Sequence, residues 1–271
     1  MRISVIISTY NNPKWLDHVL CGYRYQTDQD FELVIADDGS GDATREVVDK
    51  HQAYIPKLQH IWHPDDGFQK SRILNLATQA ASGDYLIFTD GDCIPPPDFI
   101  GLHRSCAKSG HYLSGGYFKL PMTTSTAISE EDIQTGQVFS LRWLRRHGLP
   151  LSFKASRLSA SPRLRTLLDC CIPTKATWNG NNSSAFKSDI LAVNGHDERM
   201  QYGGQDVEMG YRLRHRGLRP IRVRYRALVL HLDHARGYAN EDSIAKNRAI
   251  RQKTLETQSK WTAHGILKSE R

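Results

Sequence analysis

The sequence predicts an α/β fold, a mostly parallel central sheet with helices on both faces. Three observations carry this reading. Apolar, β-branched runs alternate with helical stretches three times and are followed by a fourth run, the pattern of a parallel sheet with crossover helices. Polar clusters follow three of those runs: Ser8 to Asn12, Asp37 to Ser40, and Asp90 to Asp92. The fourth run, Tyr85-Leu86-Ile87-Phe88-Thr89, ends on Asp90-Gly91-Asp92-Cys93. Ligands of such sheets bind beyond the carboxyl ends of strands, near a switch in strand order.

In chain order, Ile3 to Ser8 barely alternates, as in a strand covered on both faces. Thr9 to Pro13 breaks it, and Pro13 suits the start of a helix running to about Tyr25. Phe31 to Ala36 is a second strand. The next helix is capped by Asp42 or Ser40 and carries Val47 and Val48. Leu58 to Trp62 is a third strand and His63 to Phe68 a loop. Gln69 to Ala81 reads as a helix with Ile73, Leu74, Leu76, Ala77 and Ala80 on one side. Ser82-Gly83 ends it ahead of strand 84–89. A helix over Asp98 to Lys108 and a strand over Tyr112 to Leu120 follow. Ser129 with Asp132 resembles a capping box, opening a helix to about Arg146 that carries Ile133, Val138, Leu141 and Leu144. Residues 148–177 are rich in Ser, Pro and Arg, which suits either a flexible membrane-facing lid or an ordinary surface insertion. Gly203-Gly204 opens a helix ending near Gly217. Ile221 to His231 is a strand, and 239–261 is a polar helix.

The chain has 271 residues, 39% hydrophobic and 24% charged, which is ordinary for a soluble protein. No run is long enough for a membrane-spanning helix, and the first apolar run is too short for a secretory signal. Five cysteines without metal-ligand spacing read as free thiols of a reducing cytosol, with Cys170 and Cys171 as packing residues. The net charge of +7 favours anionic partners such as nucleotides or an anionic membrane face. Arg142, Arg145, Arg146, His147, Lys154, Arg157, Arg163 and Arg165 lie in one stretch with no acid between them.

Residues two apart on an extended chain point the same way. Asp90 and Asp92 therefore repel unless a cation or strong donors meet them. Carboxylate oxygens suit magnesium or manganese, which also take phosphate oxygens, and Gly91 lets a diphosphate approach the backbone. The competing reading is a polar turn, since Asp-Gly is also a turn dipeptide.

Further motifs follow in order: Val5-Ile6-Ile7-Ser8-Thr9-Tyr10-Asn11, Asp37-Asp38-Gly39-Ser40, Gly67-Phe68-Gln69-Lys70-Ser71-Arg72 with Asn75, and Asp90-Gly91-Asp92. Then come Gly180-Asn181-Asn182, Gly195-His196-Asp197-Glu198, Gly203-Gly204-Gln205-Asp206 and His231. This set resembles the family 2 glycosyltransferases with the GT-A fold, and it covers residues 3 to about 234. The carboxyl half resembles the bacterial galactosyltransferase and N-acetylgalactosaminyltransferase branch, where Gly-Gly-Glu-Asp or Gly-Gly-Glu-Asn precedes a metal-binding histidine. Gln205 here replaces that glutamate.

The resemblance implies a Rossmann-like sheet in one domain over 1–271. Residues 1–120 form the nucleotide-sugar half, 121–177 a variable insertion, 178–238 the acceptor and catalytic half, and 239–271 a helical tail. It implies metal-dependent, inverting transfer of a hexose or N-acetylhexosamine from a nucleotide-sugar, in first place a UDP-sugar, to a glycan or lipid-linked acceptor. Asp92 is then a ligand of Mn2+ or Mg2+ and Asp90 meets the ribose or the metal's water shell. His231 is a second ligand with His234 as competitor, since imidazole is a borderline ligand that suits manganese better than magnesium. Asp206 is the base that deprotonates the acceptor, in the first turn of a helix that favours an ionised carboxylate. Glu208, two positions on, points elsewhere on the helix and is structural. Asp38 takes a hydrogen bond from the nucleobase, which Thr9 and Tyr10 frame. Arg72 contacts base or diphosphate, or is merely an exposed helix charge. Trp178 and Asn182 touch sugar, or Trp178 packs in the core, and Gln205 lies on the donor or acceptor side. Bacterial surface polysaccharide or lipopolysaccharide synthesis is the expected setting, in the cytoplasm or peripherally on the inner membrane, with no nucleic acid partner. A nucleotidyltransferase is the first alternative, but Thr9 to Pro13 lacks its glycine-rich loop with lysine. A non-catalytic sugar-nucleotide-binding protein is the second.

Overall fold

The computed structural model describes residues 1–152, 155–171, 173–235 and 241–268. The amino-terminal half runs β1 (Ile3–Thr9), α1 (Pro13–Arg24), β2 (Phe31–Asp37), α2 (Asp42–Gln52), β3 (Leu58–Trp62), α3 (Lys70–Ala80) and β4 (Tyr85–Asp90). The two-residue β5 (Cys93–Ile94), α4 (Phe99–Cys106) and β6 (His111–Lys119) follow. Five short helices come next: α5 (Met122–Ala127), α6 (Glu130–Gln134), α7 (Leu141–Arg146), α8 (Ser156–Ser159) and α9 (Pro162–Cys171). The chain closes with β7 (Asn182–Phe186), α10 (Lys187–Ala192), α11 (Gln205–His215), β8 (Arg219–His231) and α12 (Glu241–Glu256).

Eight strands form one sheet in the order β3-β2-β1-β4-β7-β6-β8-β5. The first four strands, β3 to β4, form three parallel pairs; β7 then runs antiparallel to both β4 and β6, and β8 parallel to β6. The chain moves outward from β1 to β2 and β3, then returns to the other side of β1 as β4. Strand order therefore switches between β1 and β4, as the sequence predicts. Both strands are buried on both faces, so their side chains feed two cores. Ile3, Val5 and Ile7 pack with Trp15, Leu16 and Val19 of α1 on one face. Ile6, Val34 and Ala36 pack with Ile73, Leu74 and Ala77 of α3 and Met209 and Leu213 of α11 on the other.

Pro13 opens α1 as expected, and Ser129 and Asp132 form a capping box. Other expectations need correction. The α2 cap is Gly41, with no side-chain bond; Ser40 Oγ instead accepts from the Asn11 amide at 2.8 Å, joining two site loops. The single helix expected to reach Arg146 breaks into α6, a 3-10 turn at Gln137–Phe139 and α7, because Gly136 is left-handed (φ 71). Leu76 and Ala80 are exposed rather than on the core side of α3. Cys170 and Cys171 are exposed: α9 turns Asp169 inward, where it accepts from the Tyr225 amide and Arg226 Nε, both at 2.8 Å. Of the basic stretch, Lys154 lies outside the described residues.

Strand β7 has no counterpart in the sequence expectations. Its Asn182 is fully buried and donates to Gly116 O (2.9 Å) and Ala227 O (2.7 Å). These bonds bridge the irregularity in β6·β8, where Gly115 pairs Val223 but Gly116 pairs Leu228. A Cβ on Gly115 would fall 2.1 Å from the Asn182 side chain, and one on Gly116 2.2 Å from Arg224 O. Asn182 is thus a plug in the sheet.

The elements of the carboxyl half are anchored by a buried ion pair. Glu208 and Arg212 of α11 pair at 2.7 Å with side chains 1% exposed each. Arg212 also donates to Gly195 O at 2.8 Å, and Thr254 Oγ1 of α12 donates to Glu208 at 2.9 Å. Glu208 is structural, as expected. Glu208→Ala would leave a buried guanidinium without its anion, and truncating one member of such a pair costs about 3–5 kcal/mol. Urea unfolding should show a loss of that order, with far less for a substitution at exposed Glu46.

Candidate active site

The polar clusters after β1, β2 and β4 do meet. They line one cavity of about 960 Å³ at the switch point, together with residues of the carboxyl half. Of the residues singled out in the sequence, Thr9, Tyr10, Asp38, Asp90, Asp92, Gln205 and His231 line it. The loops are pinned to one another by backbone bonds: the Asp38 amide donates to Thr9 O (3.0 Å) and the Gly91 amide to Ser8 O (2.7 Å). A Cβ on Gly91 would sit 3.1 Å from Thr9 Oγ1 and 3.2 Å from Ser8 O, so glycine keeps β1 and the acidic turn close.

The two carboxylates of the acidic turn have different partners. Asp90 Oδ1 accepts from Lys70 Nζ at 2.6 Å and from Ser8 Oγ at 2.7 Å. Burial opposes the charge on Lys70, but Asp90 outweighs it, helped by Asp92 and Asp206, and the ammonium is held well above its ordinary range. Asp92 faces two imidazoles, with Oδ2 2.9 Å from His234 Nε2 and 3.7 Å from His231 Nε2. Burial pushes the Asp92 carboxyl up, yet His234 and His231 more than offset it and hold it below its usual value.

His231 lies far along the chain from Asp92 and reaches it through backbone pairing. The antiparallel pair β5·β8 matches Cys93 with His231, and the Leu232 amide donates to Asp92 O at 2.8 Å. Among the described residues, Asp92, His231 and His234 form the cluster whose ligand atoms all lie within 4.8 Å of one another. Each histidine sets its Nδ1 2.8 Å from the following residue's carbonyl oxygen, Leu232 O for His231 and Ala235 O for His234. A carbonyl only accepts, so Nδ1 donates there and Nε2 faces Asp92, as a donor when the ring is charged and as a lone pair open to a cation when it is neutral. The donor set fits a divalent cation.

Asp38 is nearly buried, its Oδ2 accepting from the Gln69 amide at 3.0 Å. Its Oδ1 lies 3.2 Å from His63 Nε2 but has no hydrogen-bond partner. Burial pushes this carboxyl up to about 6, against the Gln69 amide and His63. Asp37, expected as a strand-end residue, accepts from the Ser40 amide at 2.9 Å and meets His60 Nε2 at 2.9 Å.

Asp206 opens α11 after two left-handed glycines, Gly203 (φ 110) and Gly204 (φ 84). Its Oδ2 accepts from the Gly180 amide at 3.0 Å and its Oδ1 from the Val207 amide at 2.8 Å. Asp206 is half-buried beside the lining residues Gln205 and Asn181. Asn75 Nδ2 donates to His196 O and Glu198 Oε1, each at 2.9 Å, and its Oδ1 accepts from the His196 amide at 2.8 Å. Asn75 thus ties α3 to the Gly195–Glu198 motif.

Asp206 is not among the residues that line the cavity, and three further expected site residues lie elsewhere. Arg72 is exposed and does not line the cavity, because it shares a helix face with Leu76. Trp178 is fully buried against Phe88 and Tyr112, with ring centroids 5.5 and 5.8 Å away. Asn182 is the sheet plug. The sequence reading undervalued Lys70, which stands three and four residues before the buried Ile73 and Leu74 and so faces inward. It also missed Ser8, His63, Asn181 and Tyr202; no spacing marks the last two.

Residues 4–112 match the family model described as glycosyl transferase family 2. Over that stretch, well under half of its length, the chain is similar to the family. Over 265 residues and 90% of its length it is 28% identical to a validoxylamine A glucosyltransferase of Streptomyces hygroscopicus subsp. jinggangensis, of which it covers 59%. It is 26% identical over 236 residues, 78% of its length, to a chondroitin synthase of Pasteurella multocida, of which it covers 23%. The chain thus spans little more than half, or less, of these relatives. Among solved structures, S. aureus TarS 1–349 in complex with UDP-GlcNAc superposes with a TM-score of 0.62 at 16% identity, covering 94% of this chain and 67% of that one. A Pyrobaculum calidifontis mannosyltransferase in complex with GDP-Man and Mn2+ gives 0.56 at 19%, covering 93% and 61%. The fold is that of the GT-A glycosyltransferases. No helix of the described residues is long and apolar enough to cross a membrane.

Asp38 allows a pH test. Its carboxyl lies near 6 folded and near 3.8 unfolded. The folded state therefore holds the extra proton between these values, and this stability is present below about 3.8 and lost as pH rises through about 6. Two pH units correspond to about 3 kcal/mol at most. Asp38→Asn should flatten the stability–pH curve over pH 4–6 by about 1–3 kcal/mol, measured by urea unfolding against the unaltered chain.

Proposed function

We propose that this chain transfers a sugar from a uridine diphosphate donor to a glycan hydroxyl, with inversion at the anomeric carbon and a divalent cation. The observation that carries this reading is the shared cavity. It joins an unfilled, buried carboxylate oxygen on Asp38, a lysine–aspartate pair and an Asp–His–His donor set. Asp38 Oδ1 accepts from the base N–H, and Thr9 and Tyr10 frame the ring. Asp90, held by Lys70 and Ser8, lies on the ribose and diphosphate side, with Gly91 leaving room for phosphate. A cation on Asp92, His231 and His234 supplies Lewis-acid neutralisation of the departing diphosphate. Lys70 adds a fixed positive charge in the same place.

Asp206 is the base that takes the acceptor proton. Two backbone amides donate to its carboxylate and fix where it points. Gln205, beside it on the wall, contacts the donor sugar or acceptor. The family resemblance and the assignment of one carboxylate base support inversion. The UDP-GlcNAc bound by TarS supports a UDP donor, and the Mn2+ of the mannosyltransferase supports a cation. The likeness to a chondroitin synthase supports a glycan acceptor in surface polysaccharide or lipopolysaccharide assembly. We read the chain as one transferase domain, with donor half 1–120 and acceptor half 178–238, acting in the cytoplasm. The arginines after Arg142 support contact with an anionic membrane surface carrying a lipid-linked acceptor.

The test is UDP release from a panel of UDP-sugars with manganese and candidate glycans, with and without chelator. One donor should turn over and chelator should abolish it. Asp206→Asn should lower kcat by about 10²–10⁴-fold while leaving UDP affinity within about twofold by calorimetry. Tight UDP-sugar binding with no turnover on any acceptor would instead support a binding protein.

A further inference from the structure

Behind Asp38, on the side away from the cavity, stands a histidine to which no role has yet been given. His63 is 7% exposed and is not among the lining residues. Its Nδ1 lies 2.9 Å from Pro64 O, an acceptor, so Nδ1 is the donor there. The other ring nitrogen, Nε2, is left facing Asp38 Oδ1 at 3.2 Å. Neither atom has a hydrogen-bond partner, so the contact is close without being aligned as a hydrogen bond. With a neutral ring and an ionised carboxyl, two buried lone pairs would meet with nothing between them, which is costly. The pair therefore shares one proton and titrates as a unit.

The loop carrying His63 is pressed onto the turn carrying Asp38. Trp62 Nε1 donates to Ser40 O at 3.0 Å, and the Tyr10 hydroxyl donates to Asp65 Oδ2 at 2.9 Å. A Cβ on Gly39 (φ 94) would fall 2.5 Å from Asp65 Cα, so glycine is needed for this approach. The groups around the pair decide where the proton rests. The Gln69 amide, His63 and Lys70 all favour an ionised Asp38, while Asp65 opposes them. Asp37, in the same turn, is already met by His60 Nε2 and the Ser40 amide, each at 2.9 Å. Tyr10 stays neutral, its hydroxyl pushed up by the bond to Asp65. The first proton thus sits on the ring. A second enters at the carboxyl, which burial pushes up to about 6. A charged but misaligned imidazole neutralises Asp38 without filling Oδ1. That lone pair stays open to a ring N–H. Uracil offers N3–H, whereas cytosine offers a bare N3 that repels a carboxylate and accepts from a protonated carboxyl.

We propose that His63 is a positioning residue for the nucleobase: as an imidazolium it keeps Asp38 ionised with Oδ1 open, so that the site selects uracil over cytosine. This rests on the uridine reading above, and it can fail while that reading stands, since Asp38 could meet uracil without help from His63.

The experiment measures calorimetric affinities of the full chain for UDP-glucose and CDP-glucose with Mn2+ present. The variant His63→Gln, which keeps a polar side chain but no charge, is compared with the unaltered chain at each pH, so titration of other cavity groups cancels. Loss of an opposing charge should move the Asp38 midpoint up by about 1–2 pH units. UDP-glucose should then bind about five- to tenfold more weakly to the variant at about pH 6.5, and within about twofold of the unaltered chain at about pH 8.5. CDP-glucose should move the other way, about threefold tighter in the variant at about pH 6.5. His63→Lys, which restores a positive charge, should restore UDP-glucose affinity at that pH. Equal loss of UDP-glucose affinity at both pH values, or CDP-glucose weakening alongside it, would reveal a packing role and overturn the proposal while leaving transfer from a UDP-sugar intact. Should the variants fail to fold by circular dichroism, the unaltered chain decides: CDP-glucose should gain on UDP-glucose at least about tenfold from about pH 7.5 to 5, and a constant ratio would overturn the proposal. No preference for UDP-glucose over CDP-glucose in the unaltered chain at about pH 7.5 would overturn it together with the uridine reading.

Discussion

The site depends on a very short piece of backbone pairing. Cys93 and Ile94 are only two residues, yet their ladder with Leu230 and His231 closes the far edge of the sheet. That ladder carries the end of the acidic turn to the end of the longest strand. Without it, Asp92 would be one acid in a surface turn and His231 a histidine at a strand end. The neighbouring pair β6·β8 has to bend to allow this, and the bend is filled by Asn182, for which Gly115 and Gly116 make room. Chemistry at one edge of the cavity is therefore secured by packing several strands away.

The two aspartates that read alike in sequence are chemically unlike in place. One is neutralised by a lysine and a serine, the other faced by two imidazoles. The proximal half of the cavity is the opposite: Asp38 is buried with one oxygen unfilled. Such a polar atom is costly to leave unsatisfied, and a planar ring with an N–H donor is what it suits.

The amino-terminal half was legible in the sequence because each of its elements follows a local rule. Buried parallel strands appear as unbroken apolar runs, and Pro13 and the glycine turns punctuate them. Legibility falls after Lys119. Strand β7 is five residues of Asn, Ser, Ala and Phe, so it lacks the β-branched signal and exists because β4 and β6 offer it ladders on both sides. The break at Gly136 depends on a left-handed residue that propensity alone does not demand. In the site, Arg72 was favoured over Lys70 for its chemistry, when helical spacing already set Lys70 on the inward face. Trp178 and Asn182 were valued as sugar contacts because residue type suggests contact; burial reassigns both to packing.

Asn75 has a mechanical consequence. One carboxamide, 1% exposed, holds three hydrogen bonds across the joint between the first half of the chain and the second. Swinging those halves apart like a jaw would break all three at once, two of them in a place water does not reach. Whatever fits itself around a substrate must therefore be the rim, while the floor stays rigid.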